Sequence, residues 1–584
     1  MSDLYNKASL VMTPQLVDTG KVYSIKPENR RGDFDFTRAS AATRVGADGN
    51  IEKETQNLLL QSNTFNTTWN LSSATMSGGQ SGYDGSSDAW IFTTSVAGAA
   101  IQQSFSSTGV LIFSVYAKAG SVNGIRLRID TNSDSNGYYD LVNGTAFLSA
   151  GIDASIEDIG GGWYRCSLAH DVSGPVKVQF FTTDGSTNYD NGSIYIQDAQ
   201  LEQGLVARDY IETTTAAVYG GITDNTPRLD YTDSSCPALL LEPQRTNLMT
   251  SSEYFQAPYW SETGIDSVQN NVSIIADPTG NYGASKIIPN STNTNAHAII
   301  GNDLSTSTQY TVSIFAKAAE YDYLLIRGLG LGSGGGARFN ISTGVVEGFL
   351  NFTSASIEDY GNGWYRCIAT GTTPPNTTTG PFYHPSPTAS YTAYAGSGTS
   401  GIYTWGAQVE AAPFATSIIP TYGTSVTRVA EFCDDAGDIT MFNSTEGVLY
   451  AEIAALADDG TGRVICLSDG TNSHRVLLAY DGNTNQIQAF HSNGVDIINL
   501  LFVVSDITNF HKIAFKYSLN DFALWVDGVE VLTDFSGTTN ISNTFNNLKF
   551  ENASGSSDFY GKTKAVAVYK EALTDAELAT LTTI

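Results

Sequence analysis

The chain has 584 residues, enough for several domains that each bury a core of their own. Charged residues make up only 15% of the chain, whereas aromatic residues reach 11% and glycine is abundant, a composition typical of strands joined by tight turns. The formal charge of −29 disfavours nucleic acid and anionic lipid, because like charges repel. The composition therefore predicts an all-β protein that binds neither nucleic acid nor membranes.

The first 56 residues predict an N-terminal attachment arm and a small β collar. Residues 1–31 alternate short apolar runs with Pro14, Gly20 and Pro27, and this segment is too irregular to bury a core. The collar that follows contains Asp48-Gly49 between apolar stretches, which is typical of a tight hairpin. We therefore expect residues 1–31 to form an extended arm that becomes ordered on another body.

Two stretches with nearly the same sequence identify an internal repeat. Residues 155–166 and 356–367 share Ser-Ile-Glu-Asp followed by Gly-x-Gly-Trp-Tyr-Arg-Cys. Matching landmarks open and close the two copies, namely Asn57-Leu58-Leu59, Asn247-Leu248-Met249, Gln200-Leu201-Glu202 and Gln408-Val409-Glu410. We predict module one at 57–213, a connector at 214–245 and module two at 246–424. Many short strands without a helical period predict that each module is an antiparallel sandwich of jelly-roll type.

The last segment, 425–584, predicts a third β-sandwich. It contains several apolar strands and a hairpin that turns at Asp527-Gly528. Near its end, Thr574 and Glu577 have the spacing of a capping box, which predicts a short terminal helix.

These motifs together resemble a known class of proteins. The stretches 36–45, 227–231 and 241–248 and the two repeat signatures resemble surface proteins of tailed bacteriophages with tandem carbohydrate-binding modules. Residues 425–584 resemble a concanavalin A-like, laminin-G-type sandwich, judged on the Leu-Trp-Val-Asp-Gly hairpin and the closing stretch 569–578. The known family offers no motif that fixes sugar-contacting residues, so no residue's role is carried over.

The resemblance implies a protein of the virion surface, either a head or tail fibre or a decoration protein, made in the cytoplasm of the host bacterium. It implies binding to host or environmental polysaccharide through tandem weak sites, attachment to other virion proteins through the N-terminal arm, and a homotrimer. The opening residues lack the pattern of a signal peptide, and the apolar runs are too short to span a bilayer.

Two other functions remain as alternatives. A depolymerase or glycosidase of a tail spike would need two carboxylates flanking one bond, and the adjacent Glu157 and Asp158 point to opposite faces of a strand. The sequence therefore predicts no catalytic residues and a protein that is not an enzyme. The second alternative is a purely structural capsid or tail cement protein whose sandwiches bind no sugar.

Aromatic residues outside the shared frame are the candidates for glycan contact, because an aromatic ring matches the apolar face of a sugar. Trp163 and Trp364 recur in the signature and are therefore predicted to anchor the core. The candidates are Trp90, Tyr138, Tyr139, Tyr383, Tyr391 and Tyr394.

Calcium is the one cofactor that the sequence offers. Asp130, Asn132 and Asp134 place oxygen ligands at every second residue, although the glycine and glutamate of an EF-hand loop are missing and a polar turn is the competing interpretation. Five scattered cysteines form no disulfide framework. Cys166 and Cys367 are predicted to be buried free thiols of a protein folded in a reducing cytoplasm.

Overall fold

The computed structural model describes residues 2–131, 135–332, 335–376 and 378–584. The chain forms two compact units. Unit 1 combines Met1–Lys53, Ile222–Arg245 and Thr427–Ile584, and unit 2 combines Glu54–Gly221 and Thr246–Val426. Both predicted modules therefore belong to unit 2, and the chain passes between the units four times. The all-β fold class is confirmed.

The elements of the first half follow in chain order. The N-terminal segment contains α1 (Ser2–Lys7), β1 (Ala8–Met12), β2 (Val17–Asp18), β3 (Lys21–Val22), β4 (Phe34–Thr37), β5 (Arg44–Val45) and β6 (Ile51–Glu52). Module one and its flanks contain β7 (Thr55–Asn57), β8 (Asn70–Ser72), β9 (Ala74–Gln80), β10 (Ala89–Thr94), β11 (Ala100–Ala119), β12 (Gly124–Asp130), β13 (Ser135–Asp140), β14 (Thr145–Ala150), β15 (Asp153–Gly160), β16 (Trp163–Thr183), β17 (Ser193–Gln203) and β18 (Val218–Gly220). The connector contains β19 (Arg228–Asp230), β20 (Ala238–Leu241) and β21 (Arg245–Asn247).

The second half begins with module two. It contains β22 (Ser261–Thr263), β23 (Ile265–Gln269), β24 (Ser285–Pro289), β25 (Ala298–Ile300), β26 (Gln309–Ala318), β27 (Tyr323–Gly328), β28 (Gly336–Asn340), β29 (Val345–Leu350), β30 (Ser354–Asp359), β31 (Tyr365–Thr372), β32 (Pro381–Ser386) and β33 (Ile402–Glu410). The C-terminal segment contains β34 (Val426–Arg428), β35 (Phe432–Asp434), β36 (Gly447–Ala455), β37 (Arg463–Ser468), β38 (His474–Tyr480), β39 (Gln486–Asn493), β40 (Ile497–Val503), β41 (His511–Tyr517), β42 (Phe522–Val526), β43 (Val529–Asp534), β44 (Asn547–Lys549), β45 (Gly561–Tyr569) and α2 (Asp575–Thr582).

The two modules build the same sandwich in slightly different ways. In module one the long strands β11 and β16 pair from Ala100↔Phe181 to Lys118↔Trp163 and belong to one ten-stranded sheet. In module two two six-stranded sheets are described instead, in the orders β22-β25-β32-β27-β28-β29 and β23-β24-β33-β26-β31-β30. The apolar sides of these strands face an enclosed core in each module.

The repeat signature supports the frame of each module. Trp163 and Trp364 are 4% and 1% exposed, and Cys166 and Cys367 are fully buried free thiols, as predicted. The opening asparagines fasten the two ends of each module together. Asn57 donates to the carbonyl oxygens of Ala199 and Ile211, and Asn247 donates in the same way to Ala407 and Ile419. The opening landmarks are therefore side chains that satisfy buried backbone groups.

The two modules pack against each other inside unit 2. Val110 donates its N–H to the carbonyl oxygen of Tyr422 at 2.8 Å, and the hydroxyl of Tyr259 donates to Asp171 at 2.6 Å. Val110, Leu205 and Tyr254 form a buried apolar cluster at this contact. Gly109 has φ of +103°, and a Cβ there would lie 1.5 Å from the carbonyl oxygen of Tyr422. The close approach of the two backbones therefore requires glycine at this position.

Asp198 gives unit 2 a predicted pH dependence. Its side chain is 6% exposed, and this burial together with the nearby charges of Asp88 and Asp84 raises its pKa to about 7, despite a hydrogen bond from Tyr83. A raised carboxyl pKa stabilises the fold below the unfolded value of 3.8, and this stabilisation is lost as the pH rises towards 7. We expect Asp198→Asn to stabilise unit 2 by roughly 1–3 kcal/mol more at pH 8 than at pH 5. Urea denaturation at both pH values measures the difference, and an equal gain at both would contradict the prediction.

Unit 1 is a sandwich of two main sheets. The eight-stranded sheet has the order β19-β20-β45-β36-β41-β42-β43, with β1 also paired to β45, and the second sheet has the order β40-β39-β38-β37-β44. Their facing sides share one large apolar core. The capping box of Thr574 and Glu577 begins α2, as predicted.

The N-terminal segment differs from the expected extended arm. Leu10 and Met12 of β1 pair with Val568 and Val566 of β45, and both side chains are fully buried in the core of unit 1. Alternating apolar residues explain the difference, because a five-residue strand can add to a sheet that other segments have already built. The segment that was predicted to become ordered on another body is thus ordered by the chain itself.

Five buried charged residues join the separate segments of unit 1. Arg228 donates to Glu431 at 2.9 Å and to Glu242 at 2.7 Å, while Arg38 and Arg428 each reach one of the same carboxylates at 2.7 Å. All five side chains are at most 3% exposed. Burial disfavours the charged form of Arg228, yet the Glu431 and Glu242 carboxylates raise its pKa. We call these five residues the charge cluster.

Candidate functional site

A row of side chains crosses one sheet face of module one and reaches solvent at one end, where Phe147 is exposed. Register pairs Phe147 of β14 with Tyr138 of β13, Tyr138 with Arg126 of β12, and Arg126 with Phe181 of β16. Partners directly opposite each other in antiparallel strands point to the same face of the sheet. Four neighbouring strands thus place three aromatic rings and one guanidinium in a line, which we call the aromatic row.

The guanidinium of Arg126 supports this row from within. Its central carbon lies 5.3 Å from the ring centre of Tyr138, 4.9 Å from that of Phe181 and 5.1 Å from that of Tyr189. Its Nε donates to Asn136 at 3.0 Å. The side chain is 7% exposed, so these contacts fix its position. Arg126 therefore holds the Tyr138 ring in place without presenting its own charge to solvent.

The outer end of the aromatic row borders a hollow of about 240 Å³. Tyr138 and Phe147 contribute rings whose centres are 6.3 Å apart at 40°, and Phe147 is 56% exposed. Thr145, Ser186 and Thr187, which carry hydroxyl groups, line the same hollow. The result is a shallow surface with apolar rings on one part and hydroxyl groups around it.

The loop after β16 forms the wall of this hollow. Asp184 accepts hydrogen bonds from the backbone N–H and hydroxyl of Ser186 and from the amide of Asn188. Gly185 has φ of +92°, and a Cβ there would lie 3.3 Å from Asp140. The loop is therefore folded tightly against the end of β13 by its own short polar side chains.

Module two carries different residues at the matching positions. Register places Leu325 between Arg338 and His384, where module one has Arg126 between Tyr138 and Phe181. A hollow of about 480 Å³ lies here, and Arg338, Glu347 and Tyr391 line it. The ring centre of Tyr391 lies 3.4 Å from the guanidinium carbon of Arg327. The frame is thus shared, whereas the exposed chemistry of the two faces differs.

Of four aromatic residues predicted to contact a glycan, two line a surface hollow and two are buried in a core. Tyr138 and Tyr391 line the two hollows. Tyr139 and Tyr383 are fully buried in the module cores, so neither ring reaches a surface ligand, and this corrects the prediction for both. Tyr139 and Tyr138 are adjacent on a strand and therefore point to opposite faces. Tyr383 is the register partner of the buried Ile326.

The other two predicted contacts are half-buried and hold the frame. Trp90 packs against Phe65 and donates its ring N–H to the carbonyl oxygen of Asn63 at 3.0 Å. Tyr394 donates its hydroxyl to the carbonyl oxygen of Pro385 at 2.6 Å and packs against His297. Neither residue lines one of the two hollows.

The predicted calcium loop is only partly within the described residues. Asn132 and Asp134 lie outside them, and the carboxylate of Asp130 pairs with Lys177 at 2.8 Å and with Arg128 at 3.3 Å. Across the described ranges, no group of three or more His, Cys, Asp or Glu side chains is arranged to hold a metal ion. In the same ranges no helix is long and apolar enough to cross a membrane.

Phe147, Arg126 and Phe181 were missed by sequence reasoning. Their place in the aromatic row depends on how four strands pair with one another. Arg126 and Phe181 stand opposite each other although they are 55 residues apart in the sequence. In β14 five of the six residues, including Phe147, are exposed without alternation, so the local pattern offered no signal for this residue.

Comparisons with solved structures find carbohydrate-binding proteins at low similarity. The CBM40 module of a Ruminococcus gnavus IT-sialidase, bound to α2,3-sialyllactose, has 16% identity and a TM-score of 0.23, with 26% of this chain and 93% of that chain covered. Domain 4 of a GH43 arabinanase from Geobacillus stearothermophilus, in complex with arabinotriose, has 13% identity and a TM-score of 0.23, with 26% and 73% covered. The tandem CBM22 modules of Xyn10C from Paenibacillus barcinonensis have 14% identity and a TM-score of 0.18, with 61% and 98% covered.

TM-scores this low carry no weight for function, and no residue's role is taken from these proteins. No curated protein matches the chain. Residues 438–579 match the family model of the concanavalin A-like lectin/glucanases superfamily. This range contains β36 to β45, the greater part of the two main sheets of unit 1. The C-terminal sandwich is thus similar to concanavalin A-like lectin domains.

Proposed function

We propose that the protein binds glycans and that the hollow beside the aromatic row of module one is a glycan-binding site. The observation that carries the proposal is the pair of exposed or half-buried rings, Tyr138 and Phe147, bordered by three hydroxyl side chains. The lectin-like family match of residues 438–579 supports the same class of ligand.

A sugar ring suits this surface for a physical reason. Its C–H face is apolar and packs on an aromatic ring, while its hydroxyls need donors and acceptors such as Thr145, Ser186 and Thr187. The hollow of about 240 Å³ is smaller than the roughly 300–1,000 Å³ of sites that enclose a whole small molecule. One such site would hold part of a glycan weakly, and further sites on one chain or particle would add affinity through effective concentration.

The proposed setting is the surface of a bacteriophage virion, as a head or tail fibre or decoration protein. The motif resemblance is its support. A homotrimer is part of this proposal, and exposed apolar side chains of β40 give it some support, since Ile497, Leu501 and Val503 are 40–65% exposed on the terminal strand of a sheet. A monomeric mass of the purified protein by analytical ultracentrifugation would overturn the trimer.

The proposed binding is non-enzymatic. The polar cleft beside β15 contains Asp153 and Glu157, which are four residues apart on one strand. At about 3.3 Å per residue their Cα atoms are about 13 Å apart, so the strand does not by itself place these two carboxylates side by side around one glycosidic bond. Sustained release of reducing ends from a bound polysaccharide, abolished by one carboxylate substitution, would show an enzyme instead.

A glycan array with the full chain tests the binding site through Tyr138. We expect Tyr138→Ala to weaken binding to the glycans that the wild-type chain captures by at least tenfold, because truncating a central aromatic contact typically costs about 2 kcal/mol. Tyr138→Phe should retain binding, since stacking uses the ring. Tyr219→Ala is the matched control, because Tyr219 is 52% exposed on β18, outside the row. Undiminished binding by Tyr138→Ala would reject the site.

A further inference from the structure

A second polar surface lies where the two modules meet within unit 2. It is a cleft of about 540 Å³. Module one contributes Asp153, Ser155 and Glu157 of β15, Arg165 and Ser167 of β16, and the segment 205–209, while module two contributes Asn271, Ser273 and the segment 280–282. We call this surface the intermodule cleft. Neither module alone forms it.

The base of the intermodule cleft is fixed by contacts between the modules. The side-chain amide of Asn271 donates to the carboxylate of Asp153 at 3.0 Å and to the carbonyl oxygen of Leu205 at 3.1 Å. The apolar cluster of Val110, Leu205 and Tyr254 lies at the same contact. The two walls are therefore held in a defined relation, as a binding site requires.

The floor of the cleft carries a donor and an acceptor side by side. Glu157 and Arg165 are register partners on β15 and β16, and Ser155 and Ser167 are the next pair along, with their hydroxyls 2.7 Å apart. Arg165 donates to the carbonyl oxygen of Arg208, and its guanidinium carbon lies 5.4 Å from the ring centre of Tyr116. The Oδ1 of Asn271 is buried in the cleft without a hydrogen bond, and an unsatisfied buried polar atom is costly, which favours a polar ligand there.

The repeat provides an internal contrast. Arg366 is the counterpart of Arg165 in module two, and it is 3% exposed, with its guanidinium donating to Ser313 and to the carbonyl oxygen of Thr416. The same signature residue is thus enclosed in module two but lines an open cleft in module one. Both arginines donate to a carbonyl oxygen of the segment after the closing strand, that of Arg208 in module one and that of Thr416 in module two, so the two copies differ in exposure and not in this bond.

We propose that the intermodule cleft binds a neutral oligosaccharide. A carboxylate next to a guanidinium offers an acceptor and donors to neighbouring hydroxyls of one sugar, and the ring of Tyr282, which is 54% exposed at the cleft, offers a stacking surface. Asp153, Glu157 and Asp209 outnumber Arg165 and Arg208, so an anionic sugar is disfavoured. The volume matches that of small-molecule sites, about 300–1,000 Å³.

The inference rests on the proposed function for its ligand class, but it concerns a different site. Calorimetric titration of the full chain with maltotriose, cellotriose, xylotriose and arabinotriose tests it. We expect Glu157→Ala and Tyr282→Ala each to weaken binding of at least one trisaccharide by tenfold or more. Glu358→Ala, at the matching signature position of module two, should leave that binding unchanged, as should Tyr219→Ala. Both Glu157 and Glu358 are exposed, so folding is preserved.

The outcomes separate the two sites. Trisaccharide binding that survives Tyr138→Ala but is lost in Glu157→Ala and in Tyr282→Ala supports the cleft, even if the aromatic row binds no glycan. Binding that depends on Tyr138 and not on Glu157 or Tyr282 overturns the cleft and leaves the proposed function standing. Failure of the wild-type chain to bind any of the four trisaccharides also overturns the cleft inference.

Discussion

Glu431→Ala is expected to lower the free energy of unfolding of unit 1 by about 3–5 kcal/mol. The Glu431 carboxylate accepts hydrogen bonds from Arg38 and Arg228 and from the backbone N–H of Glu242, all away from solvent. Removing it leaves buried guanidinium groups without their counter-charge, and this penalty is larger than the net value of the intact ion pairs.

Buried thiols allow the effect to be assigned to one unit. Cys433 and Cys466 are buried in unit 1, whereas Cys166 and Cys367 are buried in unit 2. The variant is compared with the wild type by thiol labelling along a urea gradient, measured by mass spectrometry. In Glu431→Ala the urea midpoint of labelling should fall for Cys433 and Cys466 and stay unchanged for Cys166 and Cys367. Glu530→Ala, at an exposed position of unit 1, is the control. Unchanged labelling of Cys433 and Cys466 would mean that the charge cluster does not hold unit 1 together.

Gly109→Ala is expected to destabilise unit 2 by more than its backbone conformation alone explains. The new Cβ would meet the carbonyl oxygen of Tyr422, so the modules must move apart or the strand must shift. A left-handed residue costs roughly 1–2 kcal/mol, and forced overpacking adds about 1–3 kcal/mol. Hydrogen exchange at the Val110 amide, which donates to Tyr422, should become faster.

Gly174→Ala separates the two causes. Gly174 has φ of +93° on the same pair of long strands, and a Cβ there would meet nothing within 4 Å. It should therefore show the conformational cost alone. Equal destabilisation by the two substitutions, with unchanged exchange at Val110, would contradict the close packing of the modules.

Local patterns predicted the frame of the modules because the relevant contacts lie within each repeat. The duplicated Trp163 and Trp364, the free thiols and the capping box of α2 all follow from short stretches of sequence. The glutamines of the closing landmarks also make matching contacts within each repeat. Gln200 and Gln408 each accept a hydrogen bond from the backbone N–H of the closing segment, at Ile211 and Ile419.

Long-range pairing explains what the sequence did not predict. In the charge cluster Arg38 and Arg228 both donate to Glu431, and Arg228 also donates to Glu242. Arg38 and Glu431 are 393 residues apart in the sequence. The aromatic row likewise depends on which residues of four strands stand opposite each other. A single aromatic residue such as Tyr138 carries no signal of that register, and its neighbour Tyr139 looked equivalent until the strand faces were known.

The position of a bound sugar tests the proposed glycan site most directly. A crystal structure of the full chain soaked with a glycan that it captures on an array would give that position. We predict a sugar ring in van der Waals contact with Tyr138 or Phe147, with hydroxyls within hydrogen-bond distance of Thr145, Ser186 or Thr187. A glycan bound elsewhere on the chain, with the hollow beside the aromatic row left empty at saturating concentration, would contradict the assignment.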